Sequence, residues 1–225
     1  MNEITITGSE GLVGSTLCKF FQNKKKKINK LDLKLGHDLT NEKFVKKWFK
    51  ENHTKYLINC FALNDHVDKT RSKTDLYNFS LDSFEEYMKI NVISLFSVCR
   101  EFAQNNKNGS IVNFSSTYGI VSPNPSLYEN SNKHVAYGVS KEAVINLTKY
   151  LAVHLAPKIR VNCIVPGGIK NNQSKKFIKN YSNLTPMKRM MKHTELNGLV
   201  EYLCSENSSY VTGSTLVCDG GYTSW

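Results

Sequence analysis

Tyr137 and Lys141 stand four residues apart in Tyr137-Gly138-Val139-Ser140-Lys141. In a helix this spacing puts both side chains on one face, so an ammonium can lie beside a phenol. A free phenol ionises near pH ~10, and an adjacent cation favours the anion. Such a tyrosine can exchange a proton with a reacting oxygen near neutral pH. The same spacing is common in surface helices, where the pair does little, so the surroundings decide. Asn113-Phe114-Ser115-Ser116 closes an apolar run and delivers the Ser116 hydroxyl to the end of a strand. Asn91 interrupts an apolar stripe in Lys89-Ile90-Asn91-Val92, an unusual position for an amide. A phenol so placed can exchange a proton while a hydride moves to or from a carbonyl carbon, and Ser116 and Asn91 are the polar groups nearest to hand.

A partner for that chemistry is written near the N-terminus. Thr7-Gly8-Ser9-Glu10-Gly11-Leu12-Val13-Gly14 follows an apolar strand and opens a helix. Glycines at 8, 11 and 14 permit a tight turn, close approach of a pyrophosphate, and packing of the helix on its strand. The first helical amides, with Leu12 and Val13 among them, then face the phosphates. The spacing is Gly-x-x-Gly-x-x-Gly rather than the commoner Gly-x-Gly-x-x-Gly. Asp32 lies 18 residues after Gly14 at the end of the second strand, where a carboxylate binds the adenosine ribose hydroxyls. It would repel a 2′-phosphate, which favours NAD. Lys30 and Lys34 flank it and leave NADP open.

The elements that must position these groups alternate. Strands are expected at Ile4–Thr7, Ile28–Asp32, Tyr56–Phe61, Gly109–Ser115, Arg160–Val165 and Thr215–Cys218. Helices are expected at Gly11–Phe21, Asn41–Glu51, Phe84–Gln104, Val139–Leu155 and Leu196–Leu203. Alternation of this kind predicts an α/β fold: one doubly wound parallel sheet, Rossmann-like, with helices on both faces. Ligands in such sheets bind beyond the carboxyl ends of the strands. With 225 residues the chain fits one domain, 1–225, carrying substrate loops at about 117–136 and 170–195.

Composition narrows the function classes. The net charge of +11 comes from 26 Lys and only 4 Arg, and 24 Asn accompany them. Arginine, not lysine, supplies the bidentate fork for phosphates and bases, so the charge reads as solvated lysine and no nucleic-acid partner is expected. No apolar run reaches the ~20 residues of a membrane helix. Six cysteines (18, 60, 99, 163, 204, 218) show neither Cys-x-x-Cys nor zinc spacing, so no metal is expected. Scattered thiols and a strand beginning at Ile4, which leaves no room for a signal peptide, point to the cytoplasm.

On these residues the chain resembles a classical short-chain dehydrogenase/reductase from Ile4 onward. The resemblance implies a catalytic tetrad of Asn91, Ser116, Tyr137 and Lys141. Tyr137 would be the general acid/base, and Ser116 would polarise the substrate oxygen. Lys141 would bind the nicotinamide ribose and lower the phenol pKa, and Asn91 would hold a relay water. Asp38-Leu39-Thr40 resembles the adenine-pocket segment of the family. Asn59-Cys60-Phe61-Ala62 stands where the family has Asn-Asn-Ala-Gly, with Asn59 kept and Ala62 in the place of the glycine. Pro166-Gly167-Gly168-Ile169 resembles the loop whose backbone meets the nicotinamide carboxamide, although Lys170-Asn171-Asn172 replaces the usual threonine after it. Asp219-Gly220-Gly221 matches a C-terminal family signature.

The loops bear on the substrate. Twenty residues separate Ser116 from Tyr137, including Tyr118-Gly119, Tyr128-Glu129 and His134, and a lid runs from Asn171 through Gln173, Phe177 and Tyr181 to Met190. These walls read as polar and favour a small polar, sugar-derived substrate over an acyl chain or steroid. Tyr118, Tyr128 and His134 could equally be loop packing, and His134 is not assigned to catalysis. The same segments, with Asn172-Gln173 and the ending Asp219-Gly220-Gly221-Tyr222-Thr223-x-Trp225, resemble bacterial oxidoreductases of flagellin modification and surface amino-sugar (legionaminic-type) biosynthesis. Two alternatives stay open. A sugar-nucleotide epimerase or dehydratase would suit the glycine spacing, but only 57 residues follow Gly168, too few for a separate substrate domain. A non-catalytic cofactor-binding subunit would suit the altered loops but not the intact tetrad. Helices 84–104 and 139–155 are apolar enough to make a homodimer or homotetramer.

Overall fold

The computed structural model describes residues 3–64, 76–128 and 132–225. Glu129 and its neighbours in the 117–136 loop lie outside them. Six short runs rich in Ile, Val and Leu form strands: β1 Ile4–Thr7, β2 Ile28–Leu31, β3 Tyr56–Asn59, β4 Gly109–Phe114, β5 Ile159–Pro166 and β6 Thr215–Cys218. They pair in parallel in the order β2-β1-β3-β4-β5-β6. The order reverses beside β1, which opens a crevice between the carboxyl ends of β1 and β3.

Parallel strands covered on both faces need apolar residues at successive positions. Leu57, Ile111, Val161 and Cys163 face one core and Ile58, Val112 and Ile164 the other. The first core is closed by α2 (Glu42–Glu51), α4 (Leu95–Gln104) and α5 (Val135–Leu155), through Val45, Phe49, Val98, Phe102, Val144 and Leu151. The second is closed by α1 (Leu12–Asn23) and α7 (Asn197–Leu203), through Leu17, Phe21, Val200 and Leu203. The Lys24–Lys27 run forms the turn from α1 to β2, where Lys25 has a φ of 59°.

Three expectations change. The helix expected over 84–104 is α3 (Leu81–Met88), a widened π segment at Lys89–Ser94, then α4. The helix expected from Val139 begins at Val135, so Tyr137 lies inside its first turn. The lid contains a helix that periodicity did not flag, α6 (Lys175–Leu184).

Candidate functional site

The glycine turn fits a dinucleotide by what it leaves out. Gly8 has a φ of +65°, and a Cβ there would meet Phe61 N at 2.5 Å, so only glycine lets the first turn lie against the loop after β3. A Cβ on Gly14 would fall 2.1 Å from the Gly8 carbonyl oxygen, whereas one on Gly11 would meet only that oxygen, at 3.3 Å. Gly11 caps α1 without any side-chain hydrogen bond, so the first helical amides remain available to an anion. The Ser9 hydroxyl in this turn is buried and has no partner among the described residues. Asp32 borders the same turn: its carboxylate accepts from Glu10 N at 3.0 Å and from Lys34 N at 2.9 Å. These residues could hold a pyrophosphate and a ribose.

Other expected cofactor residues do structural work. Thr7 Oγ1 donates to Asn59 Oδ1 (3.0 Å), Asn59 Nδ2 to Asn113 Oδ1 (2.9 Å), and Asn113 Nδ2 to Thr148 Oγ1 (3.0 Å). This buried chain ties the ends of β1, β3 and β4 to α5 and uses the polar ends of Thr7 and Asn59 internally. Asp38 accepts from Thr40 N and Thr40 Oγ1, which hold its carboxyl below the usual range. The Leu39 side chain is buried in the first core, leaving only its backbone for a ligand. Ala62 is exposed at the crevice beyond β3.

Asn91, Ser116, Tyr137 and Lys141 are all buried where the carboxyl edge meets the N-terminus of α5. Ser115 Oγ donates to Lys141 O at 2.6 Å, and Gly119 and Gly138 let the 117–119 turn pack on that helix. The Ser116 hydroxyl lies beside the Tyr137 phenol and accepts from Tyr118 N at 3.1 Å. Lys141 Nζ lies 5.9 Å from the Tyr137 ring centroid and donates to Phe114 O at 2.9 Å. The expectation that Lys141 lowers the phenol pKa is not met. Burial raises Tyr137, with the neighbouring Ser116 hydroxyl opposing it, and burial lowers Lys141 to about 8. Each group is pushed towards its neutral form because removal from water disfavours the charged one. Asn91 is fully engaged: Oδ1 accepts from Leu63 N (2.7 Å), and Nδ2 donates to Leu63 O (3.1 Å) and Ser140 Oγ (3.0 Å). Its amide therefore clamps the loop after β3 to α5.

The second carboxyl-edge loop, Pro166–Ile169, is pinned from three sides. Gly167 N donates to Cys218 O (2.9 Å), Gly168 N to the Tyr181 hydroxyl (2.6 Å), and Gln173 Nε2 to Ile169 O (2.9 Å). Asp219 caps the following turn through Gly221 N and Thr223.

The expected polar wall is aromatic instead. Tyr118, Tyr128, Phe177, Tyr181 and Tyr222 pack together with Leu127 and Met190. The Tyr118 and Tyr128 hydroxyls bond each other at 2.6 Å, and Tyr181 stacks on Tyr222 at 4.8 Å. Burial pushes the Tyr181 phenol up to about 12, keeping it neutral as the acceptor for Gly168 N. Lys170, Lys175, Lys176 and Lys179 sit on the solvent side, because α6 turns Phe177, Ile178, Tyr181 and Leu184 inward. His134 is structural: Nδ1 accepts from Ala136 N, Nε2 bonds Ser83 Oγ, and the ring stacks on Tyr87.

Two features escape sequence reasoning. Asn113 and Thr148 complete the buried chain and are visible only once β3 and β4 are paired. Lys133, four residues before Tyr137 and just outside α5, places its ammonium 4.5 Å from the Tyr137 ring centroid, a contact that no helical spacing marks.

Fold and site together define a nucleotide-dependent oxidoreductase class, and the comparisons agree. The family model described as enoyl-(acyl carrier protein) reductase matches residues 16–223. A short-chain dehydrogenase from Leptospira borgpetersenii serovar Hardjo-bovis, solved with bound NAD+, superposes with a TM-score of 0.86 at 32% identity, covering 99% of this chain and 92% of that one. The chain belongs to the short-chain dehydrogenase/reductase family and is an NAD(P)-dependent oxidoreductase. Post-translational flagellin modification protein A of Campylobacter coli is 28% identical over 97% of both chains. A D-arabinitol 2-dehydrogenase of Candida albicans is 35% identical over 73% of this chain and 64% of its own length.

Proposed function

We propose that the chain acts as one unit, residues 1–225 with substrate loops at about 117–136 and 170–195, and moves a hydride between NAD and a hydroxyl or carbonyl of a small, sugar-derived substrate. The observation that carries this reading is Tyr137, buried beside the Ser116 hydroxyl and flanked by Lys141. Nicotinamide, when bound, supplies the hydride donor or acceptor. Ser116 orients the substrate oxygen, and Tyr137 Oη gives or takes the proton on that oxygen. Lys141 braces the ribose side of the site, and Asn91 fixes the loop at Leu63, so a relay water would be held by the Asn91 backbone. Gly8, Gly11, Gly14, Leu12 and Val13 would cradle the pyrophosphate, and Pro166, Gly167 and Ile169 would border the nicotinamide. Asp32 supports NAD over NADP.

A sugar-derived substrate is supported by the dehydrogenase of D-arabinitol and the flagellin modification protein among the relatives. The tyrosine wall adds to this, since ring faces suit the C–H faces of a sugar and its hydroxyls suit a polyol. The free cysteines support a reducing, cytoplasmic setting. Exposed Ile93, Phe96, Tyr150 and Val153 on the 84–104 segment and α5 support a homodimer or homotetramer, and a monomeric mass by light scattering at micromolar concentration would refute it.

The test is a screen of sugar alcohols, sugar phosphates and nucleotide sugars, following nicotinamide absorbance, with Tyr137→Phe as control. Turnover should fall by about 10²–10⁴-fold while NADH affinity stays within about twofold. Turnover within threefold of wild type would sink the acid/base assignment.

A further inference from the structure

The Tyr137 ring is met by a second cation that the tetrad does not include. Lys133 places Nζ 4.5 Å from the ring centroid, nearer than the 5.9 Å of Lys141. Lys133 Nζ also donates to Asn64 Oδ1, so the loop after β3 fixes its position. The residue after it, His134, anchors this segment through Ala136 N and Ser83 Oγ. The approach is therefore built from three elements and does not depend on a freely swinging surface side chain.

The chemistry of the pair is directional. A cation over an aromatic face is attracted to the ring's negative quadrupole. Ionisation of the phenol spreads its negative charge into that ring, so the attraction strengthens when the proton leaves. Among the described residues, the other titratable or polar groups around Tyr137 are Lys141 from α5, the Ser116 hydroxyl from the end of β4, Tyr118 from the turn after it, and Tyr87 from α3, edge-on at 6.4 Å. Tyr128 lies close enough to interact through charge. None of these apart from Lys141 is a cation, while burial disfavours the phenolate. Lys141 is aimed at the Phe114 carbonyl, and burial drives it towards neutrality.

We propose that Lys133 is a positioning residue for the reaction, a cation fixed over the Tyr137 ring by Asn64 that stabilises the ionised phenol. The proposal rests on the reading of Tyr137 as the acid/base. Lys133 donates no proton to the substrate; it sets the pH at which Tyr137 gives up its own.

Ultraviolet phenolate titration tests this without requiring turnover. Wild type, Lys133→Gln and Lys133→Arg are each referenced to the same protein carrying Tyr137→Phe, which isolates the Tyr137 step from the other ten tyrosines. In Lys133→Gln the step should move up by about 0.5–1.5 pH units, while Lys133→Arg should stay within about 0.3 of wild type. Once a substrate is found, the acidic limb of the kcat/KM profile should move by the same amount, with NADH affinity unchanged. Coincident curves for wild type and Lys133→Gln, including no resolved step in either, would overturn the proposal, as would an equal shift in Lys133→Arg. If no substrate is ever turned over, the functional reading fails but the titration still decides the role of Lys133.

Discussion

On the β1–β2 side of the sheet the carboxyl edge is nearly bare backbone, whereas on the β4–β5 side it is lined with hydroxyls. The first is shaped by Gly8, Gly11 and Gly14, and the polar ends of Thr7 and Asn59 are turned inward on each other. The second presents Ser116, Tyr137, Tyr118, Tyr128 and Tyr181, most of them engaged with a neighbouring hydroxyl or amide. A surface that grips through amides has little to vary. A surface that grips through side chains can be re-cut loop by loop without disturbing the sheet. Under the proposed function, this difference places specificity in the loops: close approach fixes the glycine half, and the choice of aromatic rings shapes the other.

The comparison breaks most readily at the glycines, which do different jobs despite equal spacing. Gly14→Ala drives a Cβ to 2.1 Å from the Gly8 carbonyl oxygen, both of them backbone-fixed. It should lower stability by more than about 3 kcal/mol in urea unfolding. Gly11→Ala meets only one oxygen, at 3.3 Å, and should cost about 1 kcal/mol or less. It should nevertheless weaken NADH binding, because its methyl would point into the space the pyrophosphate needs. Equal losses of stability in the two variants would mean that the turn is one packing unit and not a binding surface.

A second effect contrasts the buried cation of the catalytic half with its solvated counterparts. Lys141 loses its proton at about pH 8 in the folded protein, against ~10.4 for an unfolded chain. Between those values the unfolded state binds more protons, so this group makes stability rise with pH. The gap in unfolding free energy between wild type and Lys141→Met should therefore grow in wild type's favour by roughly 2–3 kcal/mol from pH 7.5 to 10.5. Referencing to the variant cancels the buried cysteines and tyrosines, which work in the opposite sense above pH ~9. A flat difference would mean that Lys141 keeps its charge when folded.

How much of this was legible in the sequence follows the same division. The glycine turn, Asp32 and the Tyr137–Lys141 pair are local patterns, and each falls at the edge that strand alternation implies. The π segment was not legible, because a widened turn at Lys89–Ser94 still presents an apolar helical stripe. Helix α6 was hidden by its own surface: lysines and asparagines surround Phe177, Ile178, Tyr181 and Leu184, so the stripe reads as a polar lid. The Thr7–Asn59–Asn113–Thr148 chain joins residues up to 54 positions apart, and nothing local marks the partners. The aromatic wall is hidden because tyrosines and lysines alternate along the same loops, and only the fold sends one inward and the other to solvent.

The smallest effect probes the hinge between the halves. Tyr181 accepts from Gly168 N at 2.6 Å and stacks on Tyr222. One hydroxyl thus joins the loop after β5 to the lid helix. Tyr181→Phe keeps the ring stack and removes only that bond, so it should cost about 1 kcal/mol and lower Tm by roughly 2–4 °C. Because Gly168 N loses its acceptor, the Pro166–Ile169 loop should loosen, raising the KM for substrate more than the Kd for NADH. An unchanged Tm together with an unchanged KM would show that stacking on Tyr222 alone seats the lid. The hydroxyl would then be a bystander at the junction between the two halves.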